Sequence, residues 1–539
     1  MNRLVLVFFG IMNLSLSGVA QQTSGFWDVY KSGAKGDGKT LDTRSIQSAI
    51  DDCHKAGGGK VYLHNGKFLS GTLYLKSNVT FFVEAGATLL GSDNVNDFPS
   101  TSSGYPSYTG DFVTNKMLIY AEDAVNISIA GQGTIDGRGD DIKEPYLSPS
   151  FSGRPRIIHF RHCENVKVLN VTLYNSASWV QSYQSCKNMV IDGITVDSRE
   201  NKDVEKPRFA EAKGRNTDGL DLVDCQQVRI SNCKINSGDD AICLKSFSPD
   251  ETCRDITISN CIVSSNASGI KIGTETSGGF EDITVTNCVV YDTRVDAVSM
   301  MTADGARLER ITFSNITMRN IKGSAIFIRL GNRNRTYRKD AKVNSAFLKD
   351  ILIENVQGTR ISADHGCSIT GIAGSNVENI ILKNINLTFE GGGTNADSER
   401  RIPERDKDYP NGLTFGRLPA YGMFIRHAKN VVLDHVQLRF NKDDYRPALV
   451  CDDVDGLEVN GLKAQSAPKT KAVISLSDSR DVVISNYINR DKTPAFLSVR
   501  GALSKDINLV NNSLAGVDAR VLFENPAMKT LVKEYGAID

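Results

Sequence analysis

The chain has 539 residues, 40% of them hydrophobic and 23% charged, with 63 Lys plus Arg balanced by 63 Asp plus Glu. Zero net charge and a pI near 7.0 exclude bulk attraction to nucleic acid or to an anionic membrane, while leaving room for a local basic cleft. A globular chain of this length would divide into about three or four domains, a rule that repeat proteins escape because they grow in one dimension.

In chain order, residues 1–20 read as a secretory signal. Arg3 supplies the positive start, Leu4 to Met12 is apolar, and Gly18-Val19-Ala20 is a small-residue cleavage site. An exported protein cut near Ala20 is expected. No later stretch is long and apolar enough to span a bilayer. The remainder is predicted as one solenoid over 21–523, with 524–539 as a tail or short helix. Val29 to Asp42 is turn-like, and Asp42 is placed to cap a helix over Thr43–Lys55 that turns Ile46, Ala49, Ile50 and Cys53 to one side. Gly57-Gly58-Gly59 ends it, and short alternating strands follow. One amphipathic helix ahead of many short strands suits a lid on the open first coil of a solenoid.

From about Ile119 a unit recurs at intervals of roughly 23–30 residues, with a bend residue directly before an apolar one. Instances are Asn165-Val166, Asn188-Met189, Gln227-Val228, Asp255-Ile256, Asp282-Ile283, Arg310-Ile311, Asp350-Ile351, Asn379-Ile380, Asn430-Val431 and Gly456-Leu457. The unit is too short for a propeller blade and lacks the helix of a leucine-rich repeat. An all-β, right-handed parallel β-helix with an N-terminal capping helix is predicted. Cys233, Cys261 and Cys288 each follow an asparagine at one coil's interval, which predicts an interior stack of buried thiols. The cysteine count is odd, 11, so at least one thiol stays unpaired within the chain; no spacing suggests zinc, and disulfides stay open in an exported protein although no framework is expected. Insertions at Arg199–Gly214, Gly331–Ser345 and Gly391–Leu418 break the rhythm and would wall a groove, with Arg333, Arg335 and Arg338 as a basic rim.

The densest chemistry lies in Arg215–Ser246, RNTDGLDLVDCQQVRISNCKINSGDDAICLKS. Asp218 and Asp240 are 22 residues apart, one coil, so they should lie on neighbouring strands about 4.8 Å apart with Asp239 beside them. Crowded carboxylates repel, which raises the pKa of one member and suits acid–base chemistry on a glycosidic bond. Adjacent Asp239 and Asp240 would point to opposite faces of an ideal strand, so a bend at Gly238 is required for both to reach the groove. Calcium binding and a plain solvated face are the competing readings of such a cluster.

Asn216-Thr217-Asp218-Gly219 followed by Gly238-Asp239-Asp240 and Lys245-Ser246 resembles glycoside hydrolase family 28, the polygalacturonases and rhamnogalacturonan hydrolases. GAKGDGKTLDTRSIQSAI, Arg154-Pro155, Ser178-Trp179 and Ile272–Gly279 extend the likeness. The resemblance implies a pectic polysaccharide substrate with no cofactor and no metal. It also implies that Asp239 is the general acid and that Asp218 and Asp240 hold and deprotonate the attacking water, with inversion. Asn216 belongs to the matched motif and is taken as a substrate-binding residue.

Two family elements are missing. Aligning the coils on Leu220/Leu222, Ile242/Leu244, Ile270/Ile272, Val298/Met300 and Ile326/Ile328 places the family's histidine at Ala267 and its Arg-Ile-Lys at Ser299-Met300-Met301. Rhamnogalacturonan or a terminal galacturonide is therefore expected over plain homogalacturonan. Lys245, Lys271 and Arg329, on outward rows, are candidates to grip a uronate, against the alternative of solvated cations. Trp179 precedes Asp218 in the same column and is a candidate sugar platform, against core packing. A β-helix lyase and a non-catalytic glycan-binding β-helix are the alternative functions.

Overall fold

The computed structural model describes residues 25–101, 115–141, 153–199, 216–338 and 341–536. The expected signal segment and nearly all of the first insertion lie outside these residues. The described chain forms 39 strands joined in one continuous, parallel-paired sheet that winds as a right-handed β-helix. Each early coil contributes three short strands, for example Leu220–Val223, Gln226–Ser231 and Lys234–Ser237. In later coils two of them fuse into 15-residue bent strands such as Gly279–Thr293 and Arg307–Ile321.

The recurrent bend residue has a backbone cause. All ten instances, from Asn165 to Gly456, have positive φ, between 51° and 76°. That left-handed region is tolerated best by Gly, Asn and Asp, which is why those residue types mark the repeat. The residue after each bend points inward. A second inward row, Leu220, Ile242, Ile270, Val298, Ile326, Cys367, Met423, Leu449, Ile474, Leu497, runs in unbroken register. None of these side chains is more than 2% exposed, each burial stabilising the coil by about 1.5–3 kcal/mol for the larger residues. Cys233, Cys261 and Cys288 are buried in the predicted stack, and all 11 cysteines are free. From Asn287, the residue before Cys288, an outer ladder runs along the later coils: Asn315 donates to Asn287 at 3.1 Å, Asn355 to Asn315 at 3.1 Å and Asn384 to Asn355 at 2.8 Å.

The first helix spans Thr43–Lys55 and buries Ile46, Ala49, Ile50 and Cys53 against the first coils. Asp42 does stand at its N-cap position, but its side chain makes no cap hydrogen bond. The carboxylate turns back instead, accepting the N–H groups of Lys35 at 2.7 Å and Gly36 at 2.9 Å. At the far end Pro526–Leu531 is a short 3-10 helix, and Val532–Tyr535 adds a parallel strand beside Lys505–Val510. The tail thus continues the solenoid.

Candidate active site

The face built by Leu220–Val223, Ile242–Ser246 and Ile270–Thr276 carries the acids. Val180 donates its N–H to the Asp218 carbonyl and Gly219 donates to the Asp240 carbonyl, both at 2.8 Å, which stacks Trp179, Asp218 and Asp240 in one row. A side chain at Gly219 would come within 2.6 Å of the Ala241 carbonyl, so glycine is required for that stacking. Gly238 and Asp239 sit in a bend between strands Lys234–Ser237 and Ile242–Ser246. A Cβ at Gly238 would strike Thr217 Oγ1 and lie 3.1 Å from the Ser198 carbonyl. The bend brings Asp239 round: one oxygen from each of Asp218, Asp239 and Asp240 lies within 4.8 Å of the others. Asp218 and Asp240 are buried and Asp239 is partly open to solvent.

Each carboxylate has its own partners. Asp239 Oδ1 accepts the Asp240 N–H at 3.0 Å, and its Oδ2 accepts from Asn216 Nδ2 at 3.1 Å. Arg154 donates to Asn216 Oδ1 at 3.2 Å, and because a guanidinium only donates, it fixes which way the amide faces. Asp240 accepts the Ser268 N–H at 3.0 Å and the Lys271 ammonium at 2.6 Å. Asp218 has no neighbour so close: Lys245 Nζ is 3.7 Å away and also faces Asp221 at 3.6 Å and Glu275 at 3.1 Å.

Burial pushes Asp239 up, and the neighbouring Asp240 charge adds to it, reaching about 6. Burial, then Asp221 and Asp239, hold Asp218 well above the usual carboxylate range. Asp240 is different: burial pushes it up, but Lys271 and Lys245 outweigh that and leave it below its ordinary value. The site therefore holds Asp218 and Asp239 above, and Asp240 below, the ordinary carboxylate value, which is the kind of separation acid–base catalysis uses. Three clustered acids could attract a divalent cation, but two buried ammonium groups already lie against Asp218 and Asp240.

The proposed sugar-contact residues are placed unevenly. Asn216 lies at the trio with φ +50°. Lys245 and Lys271 also lie there, with both ammonium groups occupied by carboxylates. Trp179 is 3% exposed and packs with Val223, Phe247 and Tyr337. Its ring faces Arg156 at 4.4 Å and Lys245 at 4.9 Å, so it supports the cations that support the acids. Arg329 is 2% exposed and donates to the carbonyls of Gly371 at 2.8 Å and Glu404 at 2.6 Å, tying down the third insertion. Arg333 is likewise spent on Asp304, at 2.9 Å, rather than standing on a rim.

Sequence reasoning missed Asp221, Glu275, Tyr409 and Asp296. Asp221 and Glu275 had a signal, since both are acids on or beside inward-patterned strands, where a charge must be compensated. Tyr409 had none, because it belongs to the aperiodic third insertion. That insertion folds down over the site face: Ile402, Phe415 and Leu418 pack on Met301, Phe327 and Phe424. Gly412 donates to Asp296 at 3.1 Å, and Tyr409 places its hydroxyl 2.9 Å from Thr274 and 3.3 Å from Lys271. Met301, the position that the coil alignment gives to the family's uronate-gripping lysine, thus lies under an apolar seal.

A family model described as glycosyl hydrolases family 28 matches residues 63–404. A probable polygalacturonase from Vitis vinifera is 27% identical over 64% of this chain and 72% of its own. An exo-poly-alpha-D-galacturonosidase from Dickeya chrysanthemi is 26% identical, over 72% of this chain and 71% of that protein. The crystal structure of an exopolygalacturonase from Thermotoga maritima superposes with a TM-score of 0.56 at 23% identity, covering 68% of this chain and 87% of that one, and speaks for the fold.

Proposed function

The chain belongs to glycosyl hydrolases family 28, and on that premise we propose that it removes galacturonic-acid residues from the ends of pectic chains. The observation that carries this reading is the convergence of Asp218, Asp239 and Asp240 within 4.8 Å on one face. In it Asp239, held up near 6, gives its proton to the leaving glycosidic oxygen. Asp218 and Asp240 orient a water whose oxygen attacks the anomeric carbon as the glycosidic bond breaks.

Terminal rather than internal cleavage is supported by the third insertion. Tyr409 reaches Thr274 and Lys271, and the apolar seal begins at Met301, one strand beyond Ile270–Thr276. A polymer lying along the face would meet that wall within one or two coils of Asp240. Rhamnogalacturonan or branched pectin oligosaccharides are the preferred sources of such ends, because the positions that carry the family's histidine and Arg-Ile-Lys hold Ala267 and Ser299-Met300-Met301.

The test is a product profile on homogalacturonan, rhamnogalacturonan-I and branched pectin oligosaccharides. Saturated monosaccharide or disaccharide released without loss of polymer viscosity is expected. Rapid viscosity loss would overturn terminal cleavage, and unsaturated, ultraviolet-absorbing ends would overturn hydrolysis. The trio is more compact than the roughly 6.5–9.5 Å carboxyl separation common among inverting enzymes. The first-formed anomer, read by proton NMR, therefore decides stereochemistry, and inversion is expected.

A further inference from the structure

Two lysines serve the trio, and they serve it unequally. Lys245 divides one charge among Glu275, Asp221 and Asp218 at 3.1, 3.6 and 3.7 Å. Lys271 makes its one close ion pair with Asp240, at 2.6 Å, with both side chains 5% exposed. The other Asp240 oxygen takes the Ser268 N–H at 3.0 Å. Lys271 is held from behind by the Tyr409 hydroxyl at 3.3 Å. Resting on the reading of Asp239 as the acid, we propose that Lys271 is a positioning residue that fixes Asp240 as the ionised member of the trio. Asp240, rather than Asp218, is then the carboxylate that takes the proton from the attacking water.

The neighbourhood supports this division. Asp240 is faced by the acids Asp239, Asp218, Asp221 and Asp296 and by the cations Lys245 and Lys271, with Glu275, the Tyr409 phenol and the buried Cys243 thiol close by. Without a dedicated counter-charge, Asp240 would be one more crowded acid, and the proton would have no preferred home. A short, buried, charge-assisted bond to one partner removes that degeneracy. Asp218, whose Oδ1 has no hydrogen-bond partner, is left free to orient the water. Each turnover then moves the Asp239 proton to the leaving oxygen and a water proton to Asp240. The hydroxyl joins the anomeric carbon, and proton exchange with solvent resets both acids.

The experiment compares Lys271→Met, Lys271→Gln and Lys271→Arg with the wild type across pH, on free-acid and methyl-esterified oligogalacturonides. Met and Gln should lower kcat by about 10²-fold or more on both substrates alike. Both should also move the acid limb of kcat/KM to higher pH, because Asp240 loses the charge that held it down. Arg should keep the limb in place. A rise in KM confined to the free-acid substrate, with the limb unmoved, would make Lys271 a uronate-binding residue and overturn the proposal. Should the neutral variants fail to fold, carbon-13 carboxyl titration of the folded wild type decides: Asp240 must titrate below the ordinary aspartate range, and a higher value is fatal. A wild type with no turnover on any pectic substrate would defeat the hydrolase reading instead, leaving the titration to judge Lys271.

Discussion

Two stacks of polar side chains run along this solenoid in the same one-coil rhythm, with opposite character. At the outer corners Asn287, Asn315, Asn355 and Asn384 pass hydrogen bonds from amide to amide, exposed and neutral. On the groove face Asp218 and Asp240 repeat in register too, but like charges one strand apart repel, so two buried lysines and a bend at Gly238 are built around them. An amide ladder satisfies itself: each rung has a donor and an acceptor. A carboxylate row has acceptors only, and it persists because cations were placed under it. Repetition that helps folding looks uniform, whereas the stack retained for chemistry needs irregular support.

Breaking the charged stack should cost function first. Asp239→Asn is expected to lose at least ~10³-fold in turnover while unfolding at the wild-type denaturant concentration. Retained activity would end the assignment of the acid. Lys245→Met should cost about 3–5 kcal/mol of stability, measured by chemical denaturation, because it strands Asp218, Asp221 and Glu275 without their shared cation. Neutralising Glu275 in the same chain should recover part of the loss.

The pH dependence sharpens the contrast. Burial would raise Glu275, but Lys245, Lys271 and Arg333 hold it down near 2. A depressed folded pKa stabilises above the unfolded value of about 4.3 and ceases to do so as pH falls through the folded one. The stability difference between wild type and Glu275→Gln, about 3 kcal/mol at neutral pH from that separation, should therefore shrink between pH 4.5 and 2. A difference independent of pH would remove Glu275 from the network. The smallest effect belongs to the neutral ladder. Asn315→Ala should cost about 1 kcal/mol, from a lost hydrogen bond and a left-handed backbone, with turnover unchanged.

Much of this was readable before any coordinates. The left-handed bend restricts residue choice, so the coil period, the inward rows and the cysteine stack leave a mark at every turn. The trio was legible for a related reason, since glycines are demanded beside Asp218 and Asp239 by close backbone approach. What failed to show was whatever depends on contacts between distant segments. Lys271 and Arg329 sit at outward positions, and nothing local reveals that Asp240 claims one and a carbonyl of the third insertion claims the other. Trp179 reads as a platform until Phe247 and Tyr337 are packed against it. Asp42 likewise shows a capping residue type, yet its carboxylate is taken by the preceding turn.

The unbridged thiols have a practical consequence. With all 11 cysteines buried and none joined to another, the coil owes nothing to an oxidising compartment. A chain expressed without residues 1–20 should fold in the reducing cytosol of an expression host, and reductant in the storage buffer should leave its melting unchanged.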